Sequence, residues 1–138
     1  MAQKVTQQFV DSGFGYLNAK NLDAFFALYA ENLSNPSLEN MGLTPDKDGF
    51  KKFVGGFYES FSGAKFTPQT ILCQDDRAMF RWSFSGKHTG VFNGVKPTGR
   101  SVEIACFTSF RMGADGTIVE QHELGDMLSL LKQIGALP

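Results

Sequence analysis

The chain has 138 residues, of which 42% are hydrophobic and 20% charged, and its formal net charge is −1. This length and composition predict one compact domain over residues 1–138, with enough apolar material for a core. Lysine and arginine are scattered rather than clustered, which argues against nucleic acid as a partner.

The N-terminal residues lack the apolar run of a signal peptide, and no apolar run approaches the roughly 20 residues of a membrane span. We therefore expect a soluble, cytoplasmic protein. The two cysteines, Cys73 and Cys106, each lie in an apolar, strand-like run without a second cysteine or a histidine at ligand spacing. Buried free thiols are the expectation, rather than a disulfide or a metal site.

The first half of the chain has the apolar spacing of helices. Asn21 is positioned to cap a second helix, and Thr44-Pro45-Asp46 has the residue order that favours a third helix start. The polar stretch 32–39, which contains a proline, predicts an irregular strand and loop. The helices are expected over residues 2–19, over residues 22–30, and from Thr44-Pro45-Asp46, with Thr44 as the N-cap, to about residue 61.

From Lys65 onward the apolar pattern alternates with a period of two, which predicts strands. Asp75-Asp76 and Ala114-Asp115-Gly116 have the composition of hairpin turns. The connection 90–99 is too rich in glycine and proline to extend a sheet. The strands are expected over residues 66–72, 77–87, 100–112 and 117–124. A final helix should follow Asp126 as its N-cap and end near Gly135.

Helices followed by consecutive strands indicate an α+β fold. Along 100–112, Val102, Ile104 and Phe110 share one face, and Phe107 and Ser109 share the other. Helices cover only one face of a single sheet, so an apolar second face must meet a partner. We expect a homodimer or homotetramer through the open face, assigned to Val102, Ile104 and Phe110.

Phenylalanine is over-represented, with fourteen residues beside one tryptophan and three tyrosines. Such aromatics form a core, and this many can also form the wall of a pocket for a flat hydrophobic molecule. Phe53, Phe57 and Trp82 are candidates for that wall. The pattern alone leaves open whether Trp82 belongs to the core or to the pocket.

Four motifs occur in an order and spacing that resemble the SnoaL-like polyketide cyclases over nearly the whole chain. They are Gly-Lys-His-Thr-Gly at 86–90, Pro-Thr-Gly-Arg at 97–100, Asp-Gly-Thr-Ile-Val-Glu at 115–120, and the ending Leu-Lys-Gln-Ile-Gly-Ala-Leu-Pro. The resemblance implies a cone-shaped α+β barrel, shared with ketosteroid isomerase and nuclear transport factor two. In that fold N-terminal helices pack on a strongly curved mixed or antiparallel sheet around a deep hydrophobic pocket.

The resemblance also implies site residues. Glu123 corresponds to the family's catalytic carboxylate, and Gln121 should flank it on the strand face that also bears Thr117 and Val119. Asn35 corresponds to a pocket asparagine. Phe107 and Ser109 correspond to a glutamine and a histidine of the family's pockets. Many members have His-Trp-Asp where this chain has Gln121-His122-Glu123.

The implied activity is aldol cyclisation or isomerisation by proton transfer next to a carbonyl of a small hydrophobic substrate, with no metal and no cofactor. The alternative is a non-catalytic ligand-binding or dimerisation module of the same fold. Each candidate site residue also has an alternative interpretation without a functional role. Glu123 would be solvated at a strand end, Asn35 would satisfy its own backbone in an Asx-turn, and His88 and His122 would be structural.

Overall fold

The computed structural model describes residues 3–138, which form helices on one side of a five-stranded sheet. None of the helices in this range combines the length and hydropathy that a membrane span requires. The α-helices are α1 (Gln7–Asn18), α2 (Leu22–Phe26), α3 (Lys47–Ser60) and α4 (Met127–Gln133), and a 3₁₀ helix spans Pro36–Met41. The strands are β1 (Tyr29–Ser34), β2 (Phe61–Gln74), β3 (Arg77–His88), β4 (Ser101–Met112) and β5 (Ile118–Gly125).

The sheet has the strand order β1-β5-β4-β3-β2. β2 to β5 pair antiparallel in sequence order, and β1 pairs parallel with β5 at the far edge. β1 and β2 are both edge strands, so the sheet is mixed and open rather than a closed barrel. The α+β prediction, with helices packed on a mixed sheet, is confirmed.

Local capping sets where the helices begin. The expected start of the first helix at Ala2 lies outside the described residues. α1 begins at Gln7, because the Thr6 side chain accepts a hydrogen bond from the Phe9 amide at 3.1 Å. Asp46 and Asp126 cap α3 and α4 in the same way, each accepting from a backbone amide at 3.0 Å. The predicted start of α4 is therefore confirmed. α3 begins two residues later than the N-cap, proline and early-acid order of Thr44-Pro45-Asp46 predicts, because Asp46 rather than Thr44 is the N-cap.

The predicted second helix is too long. α2 ends at Phe26, and the chain enters β1 at Tyr29, which pairs in parallel with Ile118. The strand continues to Ser34. The helical spacing of residues 22–30 is overridden because this segment gains backbone hydrogen bonds from a strand almost ninety positions later in the sequence.

The sheet faces are reversed relative to the prediction. Val102, Ile104 and Phe110 are buried beneath the helices, with exposed fractions of 4%, 3% and 5%. The assignment of these three residues to an open interface is wrong. The outer face of β4 is the more polar one, because it carries Ser101, Glu103, Ser109 and Arg111 beside Ala105 and Phe107. The alternation itself therefore favours burial of the face that bears Val102, Ile104 and Phe110. The open face instead exposes Leu72, Met79, Phe107 and Leu124.

An irregularity in β5 changes which side chains face inward. Arg111 pairs with Glu120, whereas Met112 pairs with Ile118, so β5 contains one extra residue at this point. As a result Ile118, rather than Val119, is buried in the core. The predicted shared face of Thr117, Val119, Gln121 and Glu123 is therefore interrupted, and only its last two members line the interior.

The cysteines are both free, as predicted, but only Cys106 is buried. Burial raises the pKa of its thiol to about 12, and the nearby carboxylates of Glu123 and Asp126 contribute to the increase. Cys73 is exposed on edge strand β2, so the expectation that it is buried is wrong.

Asn18, the last residue of α1, holds that helix on edge strand β2. Its Nδ2 donates to the Phe66 carbonyl at 2.7 Å, and the Phe66 amide donates back to its Oδ1 at 2.8 Å. Nδ2 also donates to the Phe14 carbonyl at 2.9 Å. One side chain therefore satisfies backbone groups of both elements and positions Phe14 and Phe66 for the interior.

We expect Asn18→Ala to lower the free energy of unfolding by about 1–2 kcal/mol, because part-buried backbone groups lose their partners. Equilibrium urea denaturation measures the change. Gln8→Ala, at an exposed position of the same helix, is the matched control and should stay within about 0.5 kcal/mol of the wild type. Equal effects of the two substitutions would show that the Asn18 contacts do not hold α1 on β2.

Candidate functional site

A narrow cavity of about 60 Å³ lies between the helices and the inner face of the sheet. This volume exceeds the roughly 10–15 Å³ that one water molecule needs, yet it is small for a drug-sized ligand. Most of the wall is aromatic, including the predicted Phe53, Phe57 and Trp82. The polar side chains of the wall belong to Tyr29, Thr108, Gln121 and Glu123.

Glu123 lies near the end of β5 and directs its carboxyl group into the cavity wall. Its Oε1 accepts a hydrogen bond from Nε2 of Gln121 at 2.6 Å. Its Oε2 is buried and has no hydrogen-bond partner among residues 3–138. Its backbone amide donates to the hydroxyl of Ser37 in the 3₁₀ helix at 2.8 Å, which holds this part of β5 in place.

The surroundings of Glu123 favour the neutral acid more than water does. Burial raises the pKa of the carboxyl from 4.5 to about 7, although the hydrogen bond from Gln121 acts in the opposite direction. Near neutral pH the group therefore exchanges readily between its acid and carboxylate forms. A group that both accepts and releases a proton at working pH is suited to general acid–base chemistry.

Tyr29 is a site residue that the sequence analysis missed. Its buried ring lines the cavity. Burial raises the pKa of the phenol above its usual range, the negative charge of Glu123 raises it further, and Gln121 partly offsets both effects. The hydroxyl therefore remains a hydrogen-bond donor. One of only three tyrosines in a phenylalanine-rich chain is the signal that could have drawn attention to it.

Trp82 and Thr108 are linked across neighbouring strands. The indole Nε1 donates to the Thr108 hydroxyl at 2.9 Å, which satisfies the polar group of a mostly buried ring. Thr108 is also the cross-strand partner of Glu123. Trp82 therefore belongs to the cavity wall, and Thr108 is a second residue that the sequence analysis missed.

Asn35 is fully buried between β1 and the 3₁₀ helix, and its side chain has no hydrogen-bond partner for Nδ2 or Oδ1 among residues 3–138. It does not cap the 3₁₀ helix, so the Asx-turn interpretation is wrong. It follows Ser34, which pairs with Glu120, and this places it beside the Gln121 backbone. It is absent from the cavity wall itself.

Phe107 and Ser109 do not contribute to the cavity. Both lie on the outer face of β4, where Phe107 is 51% exposed, and their neighbours Thr108 and Phe110 face inward instead. The two predicted substrate contacts are corrected accordingly. A shift of one residue in register moves a side chain to the opposite face of a strand, so a resemblance that is off by one position selects the wrong set.

Neither histidine lines the cavity. His88 is fully buried, with Nδ1 3.0 Å from the Thr98 hydroxyl, and it helps to join β3 to the segment before β4. His122 is on the outer face, 3.1 Å from Oε1 of Glu120. Within the described part of the chain, no group of three His, Cys, Asp or Glu side chains is arranged to hold a metal ion.

Several solved structures share this fold. TsrD from Streptomyces laurentii has a TM-score of 0.83 at 21% identity, with 95% of both chains covered. AclR from Streptomyces galilaeus, a proposed hydroxylase, has a TM-score of 0.80 at 24% identity, covering 91% of this chain and 92% of AclR. IdmH from Streptomyces antibioticus, a proposed polyketide cyclase, has a TM-score of 0.77 at 25% identity, covering 91% and 95%.

No curated protein gives a significant sequence match. The family model of the SnoaL-like polyketide cyclases, in contrast, matches residues 4–134. That match includes every strand of the sheet and the whole cavity wall. The chain therefore belongs to the SnoaL-like polyketide cyclase family.

Proposed function

We propose that this protein is a cofactor-independent enzyme that removes a proton from the carbon next to a carbonyl group of a small hydrophobic substrate and returns it to the product, as an aldol cyclisation or isomerisation requires. Glu123 is the general acid–base. Gln121 orients its carboxyl group, and Tyr29 donates a hydrogen bond to the substrate oxygen. Phe53, Phe57 and Trp82 contact the apolar part of the substrate. Asn35 supports the polar end of the site.

The proposed steps balance without a further reagent. The Glu123 carboxylate takes the proton from the carbon beside the carbonyl, and the electron pair of that C–H bond moves to the carbonyl oxygen as an enolate. The Tyr29 hydroxyl stabilises the developing negative charge. The enolate carbon then attacks a second carbonyl of the same substrate to form a C–C bond, and the resulting alkoxide takes the proton back from Glu123.

The observation that carries this proposal is the unpaired, buried Oε2 of Glu123 at the cavity wall. Buried polar atoms are almost always hydrogen-bonded, so an exception calls for an explanation. Oε1 of Gln121 and both side-chain polar atoms of Asn35 are also buried without partners among residues 3–138. When Glu123 is protonated, its Oε2 would donate a hydrogen bond to the carbonyl oxygen of a bound substrate, whereas Oε1 of Gln121 would accept one from a substrate hydroxyl. Asn35 lies off the cavity wall, so its polar atoms would not contact a ligand in the cavity.

The small volume of the cavity is the observation that favours the alternative, a binding module without chemistry. A 60 Å³ space walled by phenylalanine rings holds a compact apolar group without needing a catalyst. The two functions differ in one measurable respect, because only the enzyme requires the Glu123 carboxyl to transfer a proton.

We expect Glu123→Gln to lower the rate of proton exchange next to a carbonyl by about 10²- to 10⁴-fold, because the amide keeps the shape but cannot carry the proton. The readout is deuterium incorporation at the α-carbons of 2-tetralone in D₂O, followed by NMR. Glu59→Gln, an exposed glutamate on α3, is the control and should exchange at the wild-type rate. Exchange at an undiminished rate in the Glu123 variant would leave the binding module as the function.

The raised pKa of Glu123 also predicts a pH-dependent stability. An acid whose pKa is higher in the folded state binds protons more readily when folded, so its contribution is most favourable below pH 4.5. That contribution is lost as the pH rises toward about 7. Between these pH values the free energy of unfolding of the wild type should fall by on the order of 3 kcal/mol relative to that of Glu123→Gln. Urea denaturation of both proteins between pH 4 and 8 measures this difference. If the free energies of unfolding of the two proteins change with pH in the same way, the Glu123 carboxyl is not buried as the structure has it.

We further propose that the open sheet face is a homodimer interface. It exposes four large apolar side chains, with exposed fractions from 51% to 75%, beside the Arg111–Glu120 ion pair. Apolar groups together with charges of both signs allow the same patch to pair with itself about a two-fold axis. These four side chains are Leu72, Met79, Phe107 and Leu124.

We expect Phe107→Lys to shift the protein toward the monomer, because it places a second positive charge beside Arg81, the cross-strand neighbour of Phe107, within the proposed interface. Sedimentation velocity at micromolar concentration measures the shift. Val91→Lys is the matched control, because Val91 is 62% exposed but lies in the connection before β4, away from this face. A wild-type protein that sediments as a monomer would contradict the proposed interface.

A further inference from the structure

A second, larger space lies directly behind the aromatic wall of the cavity. It is an open cleft of about 450 Å³, compared with about 60 Å³ for the inner cavity. Phe53 and Phe57 line both spaces. The walls of the two spaces therefore share these two residues of α3.

The wall of the cleft combines apolar side chains with polar ones. Elements that are distant in sequence supply its wall: the 3₁₀ helix with the loop after it, α3, the connection before β4, and α4. Most of the wall is apolar, and polar groups stand beside the apolar ones. The apolar side chains include Leu43, Phe92, Met127 and Leu131. The polar residues of the wall are Asn40, Lys52, Ser60 and Asn93.

Phe53 and Phe57 differ in how firmly they are held. Phe57 is 6% exposed and packs against the ring of Phe84 at 4.8 Å and that of Phe92 at 5.9 Å. Phe53 is half-buried and makes ring contacts with Phe50 at 6.4 Å and with Phe57 at 5.0 Å. A rotamer change of Phe53 would connect the two spaces at a lower packing cost than movement of Phe57.

Two glycines in the interior of α3, Gly55 and Gly56, lie next to these rings. A Cβ atom at either position would meet no heavy atom within 4 Å, so packing does not require glycine there. Glycine in a helix interior costs about 1 kcal/mol relative to alanine. Gly56 borders the cleft, whereas Gly55 does not. The missing side chain at Gly56 keeps the cleft open beside the Phe53–Phe57 wall.

We propose that the cleft is the second half of the substrate site and binds the non-reacting rings of an elongated aromatic substrate. The reacting carbonyl end lies in the inner cavity at Glu123, and the Phe53 ring turns aside to let the molecule span both spaces. The ammonium of Lys52 and the amide of Asn40 select a substrate with a phenolic or carboxylate oxygen at its distal end. This inference rests on the function proposed above and adds the size and the shape of the substrate.

The test compares a one-ring probe, phenol, with a two-ring probe, 4-phenylphenol. The chain has one tryptophan, Trp82, which lines the inner cavity. Protein labelled with 5-fluorotryptophan therefore reports occupancy of that cavity through a single ¹⁹F NMR resonance. Both probes should shift the resonance of the wild-type protein. Gly56→Leu should raise the Kd of 4-phenylphenol by at least about tenfold, because its side chain fills the cleft, while the Kd of phenol stays unchanged.

Gly55→Leu is the matched control. It also removes a glycine from α3 and introduces the same side chain, but it lies outside the cleft, so both probes should bind it as they bind the wild type. The proposal is overturned if Gly56→Leu weakens the two probes equally or not at all, or if the two leucine variants weaken 4-phenylphenol to the same extent. It is also overturned if 4-phenylphenol leaves the Trp82 resonance unshifted.

The result is separable from the outcome of the proton-exchange experiment. Unchanged exchange in Glu123→Gln would refute the catalytic role, yet a Gly56-specific loss of 4-phenylphenol binding would still establish the cleft as a ligand subsite. Conversely, loss of exchange in Glu123→Gln together with no effect of Gly56→Leu would support the enzyme and refute the second subsite.

Discussion

The carboxyl group of Glu123, buried among aromatic rings with one hydrogen bond from Gln121, is the feature on which the rest of the site depends. Burial raises its pKa toward neutrality, and this cost is tolerated because the surrounding structure holds the group in place. Ser37 fixes the backbone of β5 at Glu123, and the cross-strand partner Thr108 fixes the indole of Trp82 beside it. The polar end of the cavity is thus positioned by strand register and by one contact from the 3₁₀ helix.

The same aromatic residues that form the core also provide the low polarity of the site. The rings of Phe25 and Phe50 contact the ring of Tyr29. On α3, ring contacts extend from Phe50 to Phe53 and from Phe53 to Phe57. A buried lysine, Lys47, ties α3 to β1, because its ammonium donates to the Tyr29 carbonyl at 2.9 Å and to Glu31 at 2.8 Å. The helix that carries the aromatic wall and the strand that carries the phenol are therefore held in a fixed relation, which a precise hydrogen bond to a substrate requires.

Membership of the SnoaL-like polyketide cyclase family establishes the fold and supports an enzyme of the cyclase type, and the side chains of this chain determine what that fold contains. The proposed acid is a glutamate, its neighbour is a glutamine rather than a histidine, and a tyrosine from β1 completes the polar end of the wall. These residues form a site with one titratable carboxyl and neutral hydrogen-bonding groups around it, in which the carboxyl is the group able to transfer a proton near pH 7. An enzyme and a binding module would therefore differ in whether the Glu123 carboxyl transfers a proton to and from the ligand.

The sequence alone determined what depends on neighbouring residues: the helix start after Asp126, the presence of a helix after Thr44-Pro45-Asp46, the β2–β3 turn at Asp75, the alternating strands, and, through the family resemblance, the Gln121–Glu123 pair. The tertiary structure decided what depends on distant ones. Tyr29 is in a strand because β5 pairs with it, and Thr108 rather than Phe107 or Ser109 faces the cavity because the helices cover the more apolar face of β4. Local capping and alternation are encoded within a few residues, whereas strand pairing and bulges are set by contacts that no local pattern contains.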